Sequence, residues 1–260
     1  MKPRFLLAVL SLLLAPLHAQ EPSTTKEDLA WVADFKNLPE EKRIEFAKEL
    51  GKARELFAQK RIFETEEKLH DAQKIFADSP DVENLLGACK VEFRSFDDAM
   101  EHFKKADELS PDSPNVLFNI GEVYFVTKKW SEAEQTFRKV LEMIGDDEKQ
   151  MQLQRLVEFK LMLSLIKLDK IDEAREMAEK YDEFDDSPYP YYAEAALAFN
   201  QGDELNAELA LRRAQRIFRN PEMLNPWQDT LMEFGYLKSF IGAIPDAMED
   251  PAPAPDPAGK

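Results

Sequence analysis

After position 19 the chain offers two histidines, one cysteine and several close carboxylates as candidates for acid–base, nucleophilic or metal chemistry. His70 and His102 each stand among charged residues with no second histidine or cysteine at ligand spacing, so both read as surface side chains. Glu132 and Glu134 look like a general acid/base pair, but helical positions two apart do not share a face, and they read as a solvated edge. Asp182, Glu183, Asp185 and Asp186, like Asp146, Asp147 and Glu148, are acidic enough to hold Ca²⁺. They lack the glycine-turned loop of a dedicated site and read as solvated turns. Cys89, two positions past Gly87, reads as a small buried thiol, with oxidative dimerisation as the alternative. There is no phosphate-binding loop, nucleophile elbow or His-Glu-x-x-His pair. The expectation is a protein that is not an enzyme, with no catalytic residue, no metal and no cofactor.

The bulk numbers narrow the partners. Lys2 and Arg4 precede the apolar run "FLLAVLSLLLAPL", which is too short for a comfortable membrane span and ends near Ala19. This is the layout of a secretory signal peptide over residues 1–19, and no cysteine follows to carry a lipid. The expected location is periplasmic or secreted, with no direct membrane insertion once the leader is cut. Cleavage would remove Lys2 and Arg4 and take the formal charge from −17 to −19. A chain this acidic is repelled by phosphate backbones, which argues against nucleic acid as a partner. With 44% hydrophobic residues it is nonetheless built to bury a core.

Prolines at 39, 80, 111, 114, 188, 190, 221, 226 and 245 punctuate long blocks rich in Ala, Leu, Glu and Lys. Proline breaks the helical ladder, so these blocks read as helices joined at proline corners. No block alternates apolar and polar residues as a strand would. Residues 20–45 read as an N-terminal segment with short helices. Residues 226–243, with Leu231, Phe234, Leu237, Phe240 and Ile241 at helical spacing, read as a C-terminal capping helix. The Pro/Ala/Asp tail, residues 244–260, cannot build a core and is expected to stay disordered.

Self-similarity decides the architecture. Pro80 and Pro114, Gly87 and Gly121, Ala99 and Ala133, and Phe103 and Phe137 are each 34 residues apart. A worn unit precedes them, with Ala53, Thr65, Leu69 and Ala72. Two looser ones follow, with Ala174 set 41 residues after Ala133 by an insertion near "DDEKQMQ" and Ala207 another 33 on. The chain thus resembles a tetratricopeptide-repeat protein of the exported bacterial type. That family has 34-residue helix–turn–helix units with the pattern W-x2-L-G-x2-Y…A-x3-F…A…P. Glu83 and Lys90 stand where its aromatics are usual. The resemblance implies an all-α, right-handed superhelical solenoid of units at about 46–79, 80–113, 114–147, 155–187 and 188–221.

The resemblance also implies a groove lined by the first helix of each unit. Away from the packing residues, that face holds Arg54, Phe57, Asn84, Phe118, Glu122, Phe125, Phe159, Tyr192 and Phe199. It is apolar and aromatic, which suits an amphipathic helix or an extended apolar peptide, unless the C-terminal helix already covers it. The expected function is a non-catalytic interaction scaffold or adaptor of the cell envelope with a protein or peptide partner. The alternative is a self-association module, using Trp31, Trp227 or the C-terminal helix in a homo-oligomeric contact.

Overall fold

The computed structural model describes residues 29–145 and 147–238. The leader at 1–19, Phe240 and Ile241 of the capping helix, the tail at 244–260, and Asp146 lie outside the described residues. The described chain is helical throughout, with no strand. α1 (Ala30–Asn37) is followed by hairpins α2 (Glu40–Ala58) with α3 (Ile62–Ile75), α4 (Pro80–Glu92) with α5 (Phe96–Leu109), and α6 (Pro114–Val126) with α7 (Trp130–Ile144). A 3-10 turn at Glu148–Gln150 leads into α8 (Met151–Lys167) with α9 (Ile171–Ala178), then α10 (Tyr189–Asn200) with α11 (Glu204–Ile217), and finally α12 (Pro221–Phe234). Among the described residues no helix is long and apolar enough to cross a membrane.

Each hairpin turns on one left-handed residue: Lys60, Arg94, Lys128 and Asp169 at φ 59°, 58°, 63° and 60°, and Gly202 at 77°. The amide one residue further on reaches back five positions, as in Arg61 to Leu56 O (2.9 Å), Ser95 to Lys90 O (2.9 Å) and Lys129 to Tyr124 O (2.8 Å). These bonds satisfy carbonyls that the helix end leaves free, which offsets the cost of a left-handed non-glycine residue. Pro80, Pro114 and Pro221 sit in the first turns of α4, α6 and α12, where a missing N–H costs nothing. Pro226 departs from the corner reading, because it lies inside α12, where Thr230 Oγ1 donates to its carbonyl at 2.7 Å.

Packing within the hairpins follows a size rule. A Cβ added to Gly87 would stand 2.6 Å from the Phe103 ring, and one added to Gly121 would stand 2.6 Å from the Phe137 ring. Both phenylalanines are fully buried, and each ring contributes about 1.5–3 kcal/mol of apolar burial. The same register in the other hairpins pairs Ala53 with Leu69, Met162 with Ala178, and Ala195 with Leu211. Glycine stands where phenylalanine is its counterpart, alanine where it is leucine, and in the fourth hairpin the large residue, Met162, takes the glycine's place with Ala178 opposite in register. Thr65, Ala99, Ala133, Ala174 and Ala207 close the other side of the five joints at full burial.

Polar substitutions inside the pattern are compensated. Glu83, at a position usually aromatic, is buried and accepts from Lys105 Nζ (2.7 Å) and Gln73 Nε2 (3.0 Å), with His102 Nδ1 at 2.8 Å. Burial alone would lift its pKa, but His102 and Lys105 outweigh burial and hold it below the usual carboxylate range. His102 is therefore half-buried in an ion cluster rather than a simple surface histidine. Glu134 is likewise not a solvated edge, being 7% exposed beneath Lys170 Nζ (2.7 Å) and Arg138 Nε (3.1 Å).

Cys89 is fully buried, and burial pushes its thiol well above the usual range. A thiolate-specific reagent at pH 8 should label it only at the rate of unfolding. Native-state labelling within minutes would contradict this packing.

Candidate functional site

The concave face is formed by α2, α4, α6, α8 and α10, and α12 lies in it. Trp227 is 3% exposed, with ring centroids 5.3 Å from Phe159, 5.7 Å from Tyr192 and 6.3 Å from Tyr189. Phe234 packs on Phe125 (6.1 Å) and Trp130 (5.6 Å), while Tyr236 stacks on Phe199 at 5.3 Å. Phe125, Phe159, Tyr192 and Phe199 thus lie on the face the sequence assigns them, but the chain itself covers them. Phe118 is buried and, like Phe125, has its ring centroid 6.3 Å from that of Phe137, but unlike the other groove aromatics it has no ring contact with α12 or Tyr236 among those observed.

Glu122 is buried at the centre of this contact. Lys160 Nζ lies 3.0 Å from Glu122 Oε1, 3.8 Å from Glu233 Oε2 and 4.9 Å from the Phe125 ring centroid. Burial raises the pKa of Glu122, opposed by Lys160. Burial also lifts Glu233 to about 8, again against Lys160, with Glu122 and Asp229 adding to the rise. The repeat pattern places Glu122 on this face but does not point to its neighbours Lys160 and Glu233. Lys160 was nonetheless detectable as a cation between the apolar Phe159 and the apolar run "LMLSLI", because lysine is almost never fully buried without a partner. The described residues contain no group of three or more histidine, cysteine, aspartate or glutamate side chains placed to hold a metal ion. In the acidic turn, Asp185 receives Arg155 Nε and Nη2 at 3.0 and 2.9 Å, while Asp182 accepts from the Phe184 amide.

The N-terminal part of the concave face is open. A cleft of about 320 Å³ runs between α1, α2, α4 and the start of α6, lined by Trp31, Arg54, Phe57, Asn84 and Asn115 among others. Arg54 Nη2 donates to Asp81 Oδ2 at 2.9 Å from a half-exposed position, and Phe57 forms the buried floor. Asn84 Oδ1 accepts from Asn119 Nδ2 at 2.9 Å. Trp31 Nε1 and Asn119 Oδ1 are buried polar atoms with no hydrogen-bond partner. The cleft therefore combines an apolar wall with a guanidinium and amides, the donors and acceptors that an extended peptide backbone needs. Arg54, Phe57 and Asn84 come together here, apart from the aromatics beneath α12.

Comparisons agree with this architecture. Residues 90–156 match the model of a tetratricopeptide repeat. No curated protein matches the chain. A structure reported for the functional characterisation of PilF from Pseudomonas aeruginosa is similar over 75% of this chain and 97% of that one, at 15% identity and a TM-score of 0.54. A tetratricopeptide repeat protein from Parabacteroides merdae is similar over 77% of this chain and 90% of its own, at 14% identity and a TM-score of 0.44. MamA MSR-1 is similar over 69% and 97% of the two chains, at 19% identity and a TM-score of 0.49.

Proposed function

Because the chain is a tetratricopeptide-repeat protein, we propose that it is a non-catalytic interaction scaffold of the bacterial cell envelope. It is exported by residues 1–19 and binds an extended peptide on the open N-terminal part of its concave face. The cleft at Trp31, Arg54, Phe57, Asn84 and Asn115 carries the reading, because it is the open part of the groove and the buried Trp31 Nε1 that lines it has no hydrogen-bond partner. An unpaired buried polar group costs about 1–3 kcal/mol, which a peptide backbone that satisfies it would recover. A photo-crosslinking residue at Asn115, compared with one at the exposed Glu108 on α5, tests the site in the intact envelope. We expect a discrete adduct at Asn115 that Arg54→Glu weakens about tenfold, equivalent to about 1.4 kcal/mol. Equal adducts at both positions, or indifference to Arg54→Glu, would sink the reading. Recovery of the protein in the cytoplasm with its leader uncut would sink the envelope assignment.

One observation favours the second reading, self-association. α11 ends the repeat stack, and its outward face exposes Leu205 (70%) and Leu209 (48%). Trp227 is spent inside the chain, so such a contact would use this end face instead. A sedimentation coefficient independent of concentration would remove it.

A further inference from the structure

The capping helix is held differently from the repeats it touches. In the joints between paired helices, a buried acid such as Glu83 has cations of the partner helix, His102 and Lys105, within hydrogen-bond distance. α12 instead brings Trp227, Leu231 and Phe234, at i, i+4 and i+7, together with two acids, Asp229 and Glu233, into a groove that already holds Glu122 and Lys160. Without α12, Lys160 on α8 and Glu122 on α6 form a balanced pair. With it, one ammonium serves two buried carboxylates, at 3.0 Å from Glu122 and 3.8 Å from Glu233, and the oxygens of both acids lack a hydrogen-bond donor. Asp229 from α12 repels Glu233 further, and Arg94 in the α4–α5 turn attracts it. A hydrophobic helix that must carry an uncompensated acid into the groove is held by less than its apolar area suggests.

We propose that α12 is an exchangeable occupant, and that the groove over α6, α8 and α10 is a docking surface for a partner helix of the same pattern. Such a helix presents an aromatic residue, a leucine and an aromatic residue at i, i+4 and i+7, with a neutral amide or protonated carboxyl just before the last. The first three fill the places of Trp227, Leu231 and Phe234, and the fourth lies beside Lys160. The only cost specific to the chain's own helix is the proton. Glu233 is lifted to about 8 in the docked state by burial. Once α12 leaves the groove, Glu233 returns to the usual carboxylate range. Docking therefore takes up a proton between those two values, is favoured at low pH, and weakens as pH rises toward 8. A partner with glutamine at that position pays no such cost and gains on α12 as pH rises.

Hydrogen exchange on the full chain at pH 5.5 and 7.5, corrected for intrinsic base catalysis, reads the opening of α12 directly. We expect α12 amides to open at least tenfold more readily than those of α8, and this opening to rise about tenfold per pH unit, one proton's worth. Glu233→Gln should flatten the rise. A labelled peptide of residues 220–238 carrying Glu233→Gln should bind the full chain in trans. Its binding should tighten at least tenfold when the chain carries Trp227→Ala, which loosens the resident helix. The proposal is overturned if α12 exchanges only with α8 at both pH values, or if Glu233→Gln leaves the pH dependence intact. It is overturned equally if the peptide fails to bind the Trp227→Ala chain. These readouts use the isolated chain and do not depend on what the N-terminal cleft binds.

Discussion

Lys160→Ala should cost about 3–5 kcal/mol of stability at neutral pH, the range for breaking a buried pair by removing one partner. The reason is the company Lys160 keeps. Glu122 lies 3.0 Å and Glu233 3.8 Å from its ammonium, and all three are enclosed by α6, α8 and α12. Without the cation both acids must be buried protonated or unpaired. Both carboxyls then sit further above their unfolded pKa than before, and the penalty for protonating them on folding grows with pH. The deficit relative to the parent chain should therefore be smallest near pH 5 and largest near pH 8. Combining Lys160→Met with Glu122→Gln removes charge from both sides and should restore most of the loss, since apolar replacements of buried pairs are often neutral or stabilising. Urea midpoints of the mature chain at three pH values decide the matter. A loss below about 1 kcal/mol, typical of exposed pairs, would mean that water reaches the cluster.

The parts of this protein that were legible in its sequence are those fixed by contacts within one hairpin. Gly87 with Phe103 and Gly121 with Phe137 recur at a fixed spacing because helix-pair geometry places those positions against one another. The face carrying Phe125, Phe159 and Tyr192 was legible for the same reason. The C-terminal helix was legible as one possible cover for that face; that it does cover it was not. The spacing of Trp227, Leu231 and Phe234 says that a helix is amphipathic but not which surface its apolar side meets. Pro226 also looked like a break, although α12 continues through it. Glu134 illustrates the second limit. Its local sequence is that of a solvated helix, and the cation that buries it, Lys170, comes from the next hairpin, 36 residues away. Long-range ion pairs leave no periodic trace. The fourth hairpin shows the opposite case: it lacks the marker glycine, yet the sequence register sets the buried Met162 against the half-buried Ala178, a pair of similar combined size.

That matching of sizes makes the other large prediction. Phe137→Ala should cost about 3–5 kcal/mol, because the ring is fully buried and its neighbours can only partly close the void. Gly121→Ala should cost about 1–3 kcal/mol by overpacking, since the new methyl would lie 2.6 Å from that ring. The better helix propensity of alanine, about 1 kcal/mol, offsets only part of this. The two positions should not behave independently. In the first and last hairpins the same joint is built from alanine with leucine, Ala53 with Leu69 and Ala195 with Leu211, all buried. Gly121→Ala combined with Phe137→Leu therefore installs a pair the fold already uses. Phe137→Leu alone should leave a gap, Gly121→Ala alone a clash, and the double variant should be more stable than the two single costs predict by about 1 kcal/mol or more. Additive costs in a denaturation cycle would show that the recurring sizes are coincidence. Coupling of the expected sign would show that large and small residues are chosen jointly across each hairpin, so that the volume of the joint, rather than the glycine, is what the repeat maintains.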